Sequence, residues 1–233
     1  MPTHKKKRKF RKTKKQMGNE QKIIELPPHP LSHFIKKKVE GKYFLLISKD
    51  NNHLIDLENI YIKCFFERML EILRISFNRE KQYHISLGSY SSNYNHQIST
   101  IMNFVNDPNY ITAIATDSNL IPHSYLHIER KDNDYDKMWT VCTHPTSRGK
   151  GFSSFVISNS LKEQKRNRRK NLLLEVYNDD VINRRDNDPR QSHIMEHFRT
   201  HGFNEVDRNQ LSPNTRRGLL SEKEETKVMI CNL

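Results

Sequence analysis

The sequence predicts an α/β domain with one mixed, largely antiparallel central sheet flanked by helices, preceded by a disordered basic arm. Three observations carry this. Strand-like and helix-like runs follow the order strand, helix, helix, three strands, helix, strand, helix, strand, which a single mixed sheet accommodates. The three central strands are separated only by turn-rich breaks, as in an antiparallel meander. The charge is concentrated at one end: of 40 Lys and Arg, nine fall within the first 16 residues with no acid among them.

Residues 1–38 read as arm and linker, because the lysine run gives way to Pro27, Pro28 and Pro30, which favour extended backbone. Residues 39–233 read as the folded domain, starting near Gly41. Tyr43–Ser48 is a short apolar run before the turn cluster Asp50, Asn51, Asn52 and suits a first strand. From Asp56, a candidate N-cap, Leu57, Ile60, Cys64, Phe65, Met69, Leu73 and Ile75 recur at helical spacing to about Phe77. A shorter helix is expected around Ile98–Val105.

The runs Tyr110–Ala115, Ser124–Glu129 and Met138–Thr143 read as the meander. A helix from Gly151 to about Arg168, a buried strand Leu172–Tyr177, a helix from about Gln191 to His201 and a last strand Thr226–Cys231 complete the order.

Of the net charge of +13, the first 16 residues supply +9, and the rest carries 31 basic against 27 acidic residues. Such an arm is too polar to bury, so residues 4–15 are expected to contact nucleic acid or an acidic protein, or to serve as a nuclear address. Cys64, Cys142 and Cys231 form no C-x-x-C pair and point to a reducing compartment. No apolar run approaches a membrane span, so an intracellular, soluble protein without a membrane partner is expected, cytoplasmic or nuclear.

The string from Val141 to Ser153, VCTHPTSRGKGFS, lies where a strand ends and a helix starts. At a helix N-terminus the first amides lack intrahelical partners and the dipole is positive, so a small-residue loop can wrap a pyrophosphate. Gly149 and Gly151 let backbone approach the anion, and Arg148 and Lys150 add charge. The string is neither a P-loop nor G-x-G-x-x-G.

Pro145, Arg148, Gly151 and Ser153, read as P-x-x-R-x-x-G-x-S, resemble the acetyl-CoA signature of the GNAT superfamily of N-acetyltransferases. The Val-x-Thr strand before it, the apolar helix after it, Leu172-x-Leu174-x-Val176 and the Gly202-Phe203 pair support the resemblance over residues 138–203. The element order extends it to about 40–233.

The resemblance implies acetyl-CoA as co-substrate, a primary amine as acceptor and no metal; with the basic arm, that amine is expected to belong to a protein or peptide. It implies that Val141 and Thr143 hold the pantetheine by their backbones, and that Arg148, Gly149, Lys150, Gly151 and Ser153 hold the pyrophosphate. Substrate amine would meet thioester where Met138–Thr143 splays from Leu172–Tyr177. An amine of pKa about 10.4 must lose a proton first. Glu175 is the candidate base, with Glu129 and Asp136 as rivals. The family's tyrosine acid falls on Phe198, which leaves Tyr177 as the substitute, and residues 178–190 read as an insertion.

Three further readings stand beside this one. His193, His197 and His201 share one helical stripe that could ligate zinc, although they border an apolar face. Lys165, Arg166, Arg168, Arg169 and Lys170 form a second basic cluster, either solvated at a helix end or a polyanion contact. An acidic cleft of Asp134, Asp136, Asp179 and Asp180 would suit a polyamine or aminosugar acceptor. The alternative to a transferase is a nucleic-acid-binding protein on the same fold without catalysis.

Overall fold

The structure is a computed structural model, and it describes residues 29–76, 101–102, 104–131, 135–167, 169–176, 190–219 and 226–233. Among them eight strands form one sheet: β1 Ile35–Val39, β2 Lys42–Ile47, β3 Tyr110–Asp117, β4 Pro122–Glu129, β5 Tyr135–Thr143, β6 Asn171–Val176, β7 Phe203–Val206 and β8 Lys227–Cys231. Their order is β1-β2-β3-β4-β5-β6-β8-β7. Every neighbouring pair is antiparallel except β5 and β6. The helices are α1 Ile60–Ser76, α2 Phe152–Arg166, α3 Arg190–Arg199 and the single turn α4 Pro213–Arg217. Residues 101–102 and 104–106 are also helical; Ile98, where that helix was expected to begin, lies outside the described residues.

Side-chain alternation divides the sheet into two packed faces. On one, Phe65, Phe66, Met69, Leu70 and Leu73 of α1 meet Leu45, Ile47, Ile114, Tyr125 and Cys142. On the other, Phe152, Val156 and Ile157 of α2 cover Phe44, Leu126, Ile128, Met138, Leu172 and Leu174. Each such fully buried side chain contributes about 1.5–3 kcal/mol, which is why α1 and α2 are held by packing more than by propensity.

Three local features differ from the sequence expectation. Residues 30–38, read as linker, form a 3-10 turn and, with Val39, β1. The β1–β2 hairpin turns through Glu40 (φ 46°) and Gly41 (φ 73°), the paired positive φ of a type I′ two-residue hairpin. Lys36, Lys37 and Lys38 lie exposed on that edge strand, where charge discourages further pairing. Second, α1 begins at Ile60, with the Asn59 side chain accepting from the Tyr61 amide (3.0 Å), while Asp56 caps only its own turn through the Glu58 amide (3.0 Å). Third, β7 follows Gly202 and places one more strand outside β8. Cys64 is exposed on α1, whereas Cys142 and Cys231 are buried. Among the described residues, no helix is long and apolar enough to cross a membrane.

Candidate functional site

β5 changes character along its length. It pairs with β4 throughout, from Lys137 opposite Glu129 to Thr143 opposite Ser124. Its parallel ladder with β6 covers only Tyr135–Met138 against Asn171–Leu174. The register with β4 slips between Leu126 and His127, leaving Thr140 as a bulge residue at φ 29°. A bulge bends a strand and increases its twist, so β5 turns away from β6 past Met138. Among the described residues, Trp139–Thr143 has no strand partner on the β6 side. Val141 and Thr143 lie half-buried on this open half, as a backbone-reading edge requires.

The chain then forms a 3-10 turn, Pro145–Ser147, and enters α2. His144 caps that turn by accepting from the Thr146 amide (3.3 Å). Gly149 and Gly151 both adopt left-handed φ, 73° and 76°, and Gly151 is the N-cap of α2. Arg148, Gly149, Lys150 and Gly151 are exposed, Ser153 is half-buried, and no acid occupies the first turn of α2. The dipole's positive end therefore sits beside two exposed cations, an arrangement that a bound anion stabilises. A third cation arrives from β2: Lys42 Nζ donates to the Lys150 carbonyl at 2.6 Å.

The face opposite α2 holds Glu175 and Glu129, while Asp136, two residues before Met138 on β5 and opposite Leu172 of β6, lies on the α2 face. Glu175 is almost fully enclosed, with its carboxylate 2.6 Å from Lys137 Nζ and 3.8 Å from Arg208 Nη2. Burial pulls the Lys137 ammonium below its usual pKa, against the opposing pull of Glu175. Lys137 also donates to the Gly218 carbonyl (3.1 Å) and lies 4.2 Å over the Trp139 ring. Glu129, with a side chain 15% exposed, accepts from Trp139 Nε1 (2.6 Å) and Lys131 Nζ (2.5 Å). It also hydrogen-bonds Tyr110, whose phenol is held above its ordinary pKa, mainly by burial and then by the Glu129 charge. Asp136 is buried and accepts from the Lys131 amide (3.2 Å).

Other expected residues land elsewhere. Phe198 is buried against Phe203. His197 Nε2 and His201 Nδ1 bond to Ser153 (2.9 Å) and Ser158 (3.2 Å) of α2, and burial lowers the pKa of both rings. Among the described residues, no group of His, Cys, Asp and Glu is arranged to hold a metal ion. Arg169 and Lys170 meet Arg130 and Lys131 at the turn end of β4, where Lys170 Nζ donates to the Lys131 carbonyl (2.7 Å). Arg168, Tyr177, Asp134, Asp179, Asp180, residues 178–189 and residues 4–15 lie outside the described residues. Trp139, Lys42 and His123 were not singled out from sequence; Trp139, the chain's one tryptophan, was the available signal.

Neither a protein-family model nor a curated protein sequence matches the chain. Solved structures do. An acetyltransferase from Streptococcus agalactiae matches at TM-score 0.53 with 12% identity, over 84% of this chain and 100% of that one. An acetyltransferase of the GNAT family from Staphylococcus aureus matches at 0.51 with 12% identity, over 82% and 99%. N-acetylglutamate synthase from Neisseria gonorrhoeae, complexed with coenzyme A and L-arginine, matches at 0.51 with 9% identity, over 84% of this chain and 34% of that one. The splayed β5–β6 pair, the glycine loop leading into α2 and these likenesses together give the chain the fold of the GNAT acetyltransferases.

Proposed function

We propose that the chain is an acetyl-CoA-dependent N-acetyltransferase acting on a primary amine of a protein or peptide. The observation that carries this is the alignment of two donor surfaces: the open edge Trp139–Thr143 runs directly into the exposed glycine loop at the N-terminus of α2. Val141 and Thr143 offer backbone groups to the pantetheine, and residues 148–153 offer amides and positive charge to the pyrophosphate. The Neisseria synthase, bound to coenzyme A, shares this fold.

Acetyl-CoA supplies the activated acyl group as a thioester. In this reading a strand amide of β5 donates to the oxyanion as the amine nitrogen bonds to the thioester carbon. Glu129 is favoured as the base that first takes the ammonium proton, because it is partly exposed and tied to Trp139, the first residue past the β5–β6 ladder. Glu175 is less suited, since it is consumed by Lys137 and Arg208. On collapse the C–S bond breaks and the thiolate takes a proton. Phe198 has none to give, so Tyr177 or solvent fills that role.

The arm, with nine cations in 16 residues, supports a macromolecular acceptor by giving it a second contact. Asp136 faces the Lys131 amide in the interior, which weakens the acidic cleft that a polyamine acceptor would need. Calorimetry with acetyl-CoA tests the donor site on the intact chain and on Gly151→Asp. A Cβ there meets the flexible end of Lys42 at 3.2 Å, and φ 76° strains any residue other than glycine, so the variant's folding is checked by its urea midpoint beside the binding. Micromolar binding by the intact chain and loss in the variant is the expected result; no binding by the intact chain overturns the reading.

A second reading rests on the gathering of Arg130, Lys131, Arg169 and Lys170 at one end of the sheet, in addition to the arm. It is a nucleic-acid-binding protein without acetyl transfer. Its affinity for a duplex would fall steeply with salt, and removal of residues 1–16 would flatten that slope.

A further inference from the structure

We propose that Lys42, Asp117 and His123, at neighbouring strand ends, form a brace that presets residues 147–151 for the pyrophosphate, and so act as positioning residues for cofactor binding. This rests on the acetyl-CoA reading. None of the three belongs to the sequence motif.

Lys42 and Asp117 are register partners across β2 and β3, and His123 is the second residue of β4. His123 reaches in both directions. Its Nδ1 lies 2.6 Å from Ser147 Oγ in the loop, and its Nε2 lies 3.3 Å from Asp117 Oδ2. A carboxylate only accepts, so Nε2 carries a proton and donates to Asp117, while Nδ1 pairs with the Ser147 hydroxyl, which can donate or accept. Asp117 is itself fixed, because its Oδ1 accepts from the Asn119 (2.9 Å) and Ile121 (3.0 Å) amides of the β3–β4 turn. The His123 ring also stacks on Phe152, the first residue of α2, with centroids 4.4 Å apart and planes at 27°. Lys42 Nζ lies 5.2 Å from the same Phe152 ring while it donates to the Lys150 carbonyl.

The contacts thus grip both ends of the glycine stretch. Two glycines at positive φ supply the required shape but leave the free loop many alternatives, and an anion held by backbone amides must meet them already aligned. Ser147 and Phe152 bracket Arg148–Gly151, and Lys150 is held between them, so the ordering cost is met in the fold before the ligand arrives. The Asp-His-Ser sequence of contacts would activate a nucleophile if the serine were open. Ser147 is 1% exposed and cannot meet a carbonyl, so the same contacts orient the loop instead.

The test is acetyl-CoA binding by calorimetry on the full chain, His123→Ala, Ser147→Ala, the double variant and His123→Asn. The expected result is about a tenfold loss of affinity in each single alanine variant, the scale of one lost hydrogen bond near a charge. The double variant should be no weaker than either single one, and His123→Asn, which returns a polar atom near the Nδ1 position, should recover part of the loss. In turnover, KM for acetyl-CoA should rise while kcat holds. Amide hydrogen exchange at residues 148–151 should quicken in Ser147→Ala, which removes one oxygen atom and tests the brace even if His123→Ala folds poorly. Unchanged affinity and exchange in Ser147→Ala overturns the brace alone. No binding by the intact chain overturns the acetyl-CoA reading beneath it.

Discussion

The loop after β5 and the sheet face around Trp139 present functional groups in different ways. The loop works with main chain: two left-handed glycines, the first amides of α2 and exposed cations, all within Arg148–Ser153. The face around Trp139 works with side chains from β4, β5, β6 and the segment near Arg208 and Gly218, joined by buried charge pairs. The first arrangement suits a ligand of fixed shape and high charge, while the second is set by pairings that substitution can redraw. In a transferase of this fold, donor recognition should therefore depend on the loop and the His123 brace that holds it, and acceptor handling should depend on partners distant in sequence.

Breaking the Lys137–Glu175 pair should have the largest effect. Lys137→Met takes the 2.6 Å partner away from the enclosed Glu175 carboxylate, and removal of one partner from a buried pair costs about 3–5 kcal/mol. The paired change Lys137→Met with Glu175→Leu should restore much of that loss, because two apolar side chains need no desolvated charge. Urea unfolding of the three variants measures it. If Lys137→Met alone is neutral, the pair is not what secures that face.

Glu129→Gln separates the two regions by activity. With Glu129 as base, kcat should fall about 100-fold, the low end of what a general base contributes, while KM for acetyl-CoA stays within a factor of about two. Gln keeps an acceptor for Trp139 Nε1, so the geometry is spared. A loss confined to acetyl-CoA KM would move Glu129 to the donor side, and an equal kcat loss in Glu175→Gln without unfolding would return the base to β6.

The loop was legible in the sequence because its chemistry is local: the spacing of Pro145, Arg148, Gly149 and Gly151 lies in one short string, and each glycine does have positive φ. The meander, α1, α2, β6 and β8 were legible for the same reason, since a period of two or 3.6 is written in adjacent residues. β1 was not, because its lysines continue the charge of the arm and it buries none of its residues fully. β7 was missed because only Phe203 of its four residues is buried. The surroundings of Glu175 were beyond sequence reading, since Lys137 reaches it through a parallel register that no local spacing encodes. The His123 brace joins residues 24 apart and was hidden likewise.

Acid should expose the same contrast more gently. His127, opposite Trp139 in the β4–β5 ladder, is fully enclosed, bonded through Nδ1 to Thr112 Oγ1 (2.8 Å) and stacked on Phe104. Burial lowers its pKa to about 3, well below the 6.5 of an unconfined imidazole. Between those values the unfolded chain binds a proton that the folded chain refuses, so stability is whole above pH 6.5 and falls as pH drops toward 3. The slope from this one group approaches about 1.4 kcal/mol per pH unit inside the window. His127→Gln keeps a polar partner for Thr112 but does not titrate, so its urea midpoint between pH 7 and pH 5 should fall by less than that of the intact chain. Hydrogen exchange at pH 5 should then quicken around β4 and the first half of β5 before it does so in residues 148–151. Equal pH slopes in the two chains would place the acid-sensitive group elsewhere, with His197 and His201 at the α2–α3 contact the next to replace, since burial lowers both of their pKa values as well.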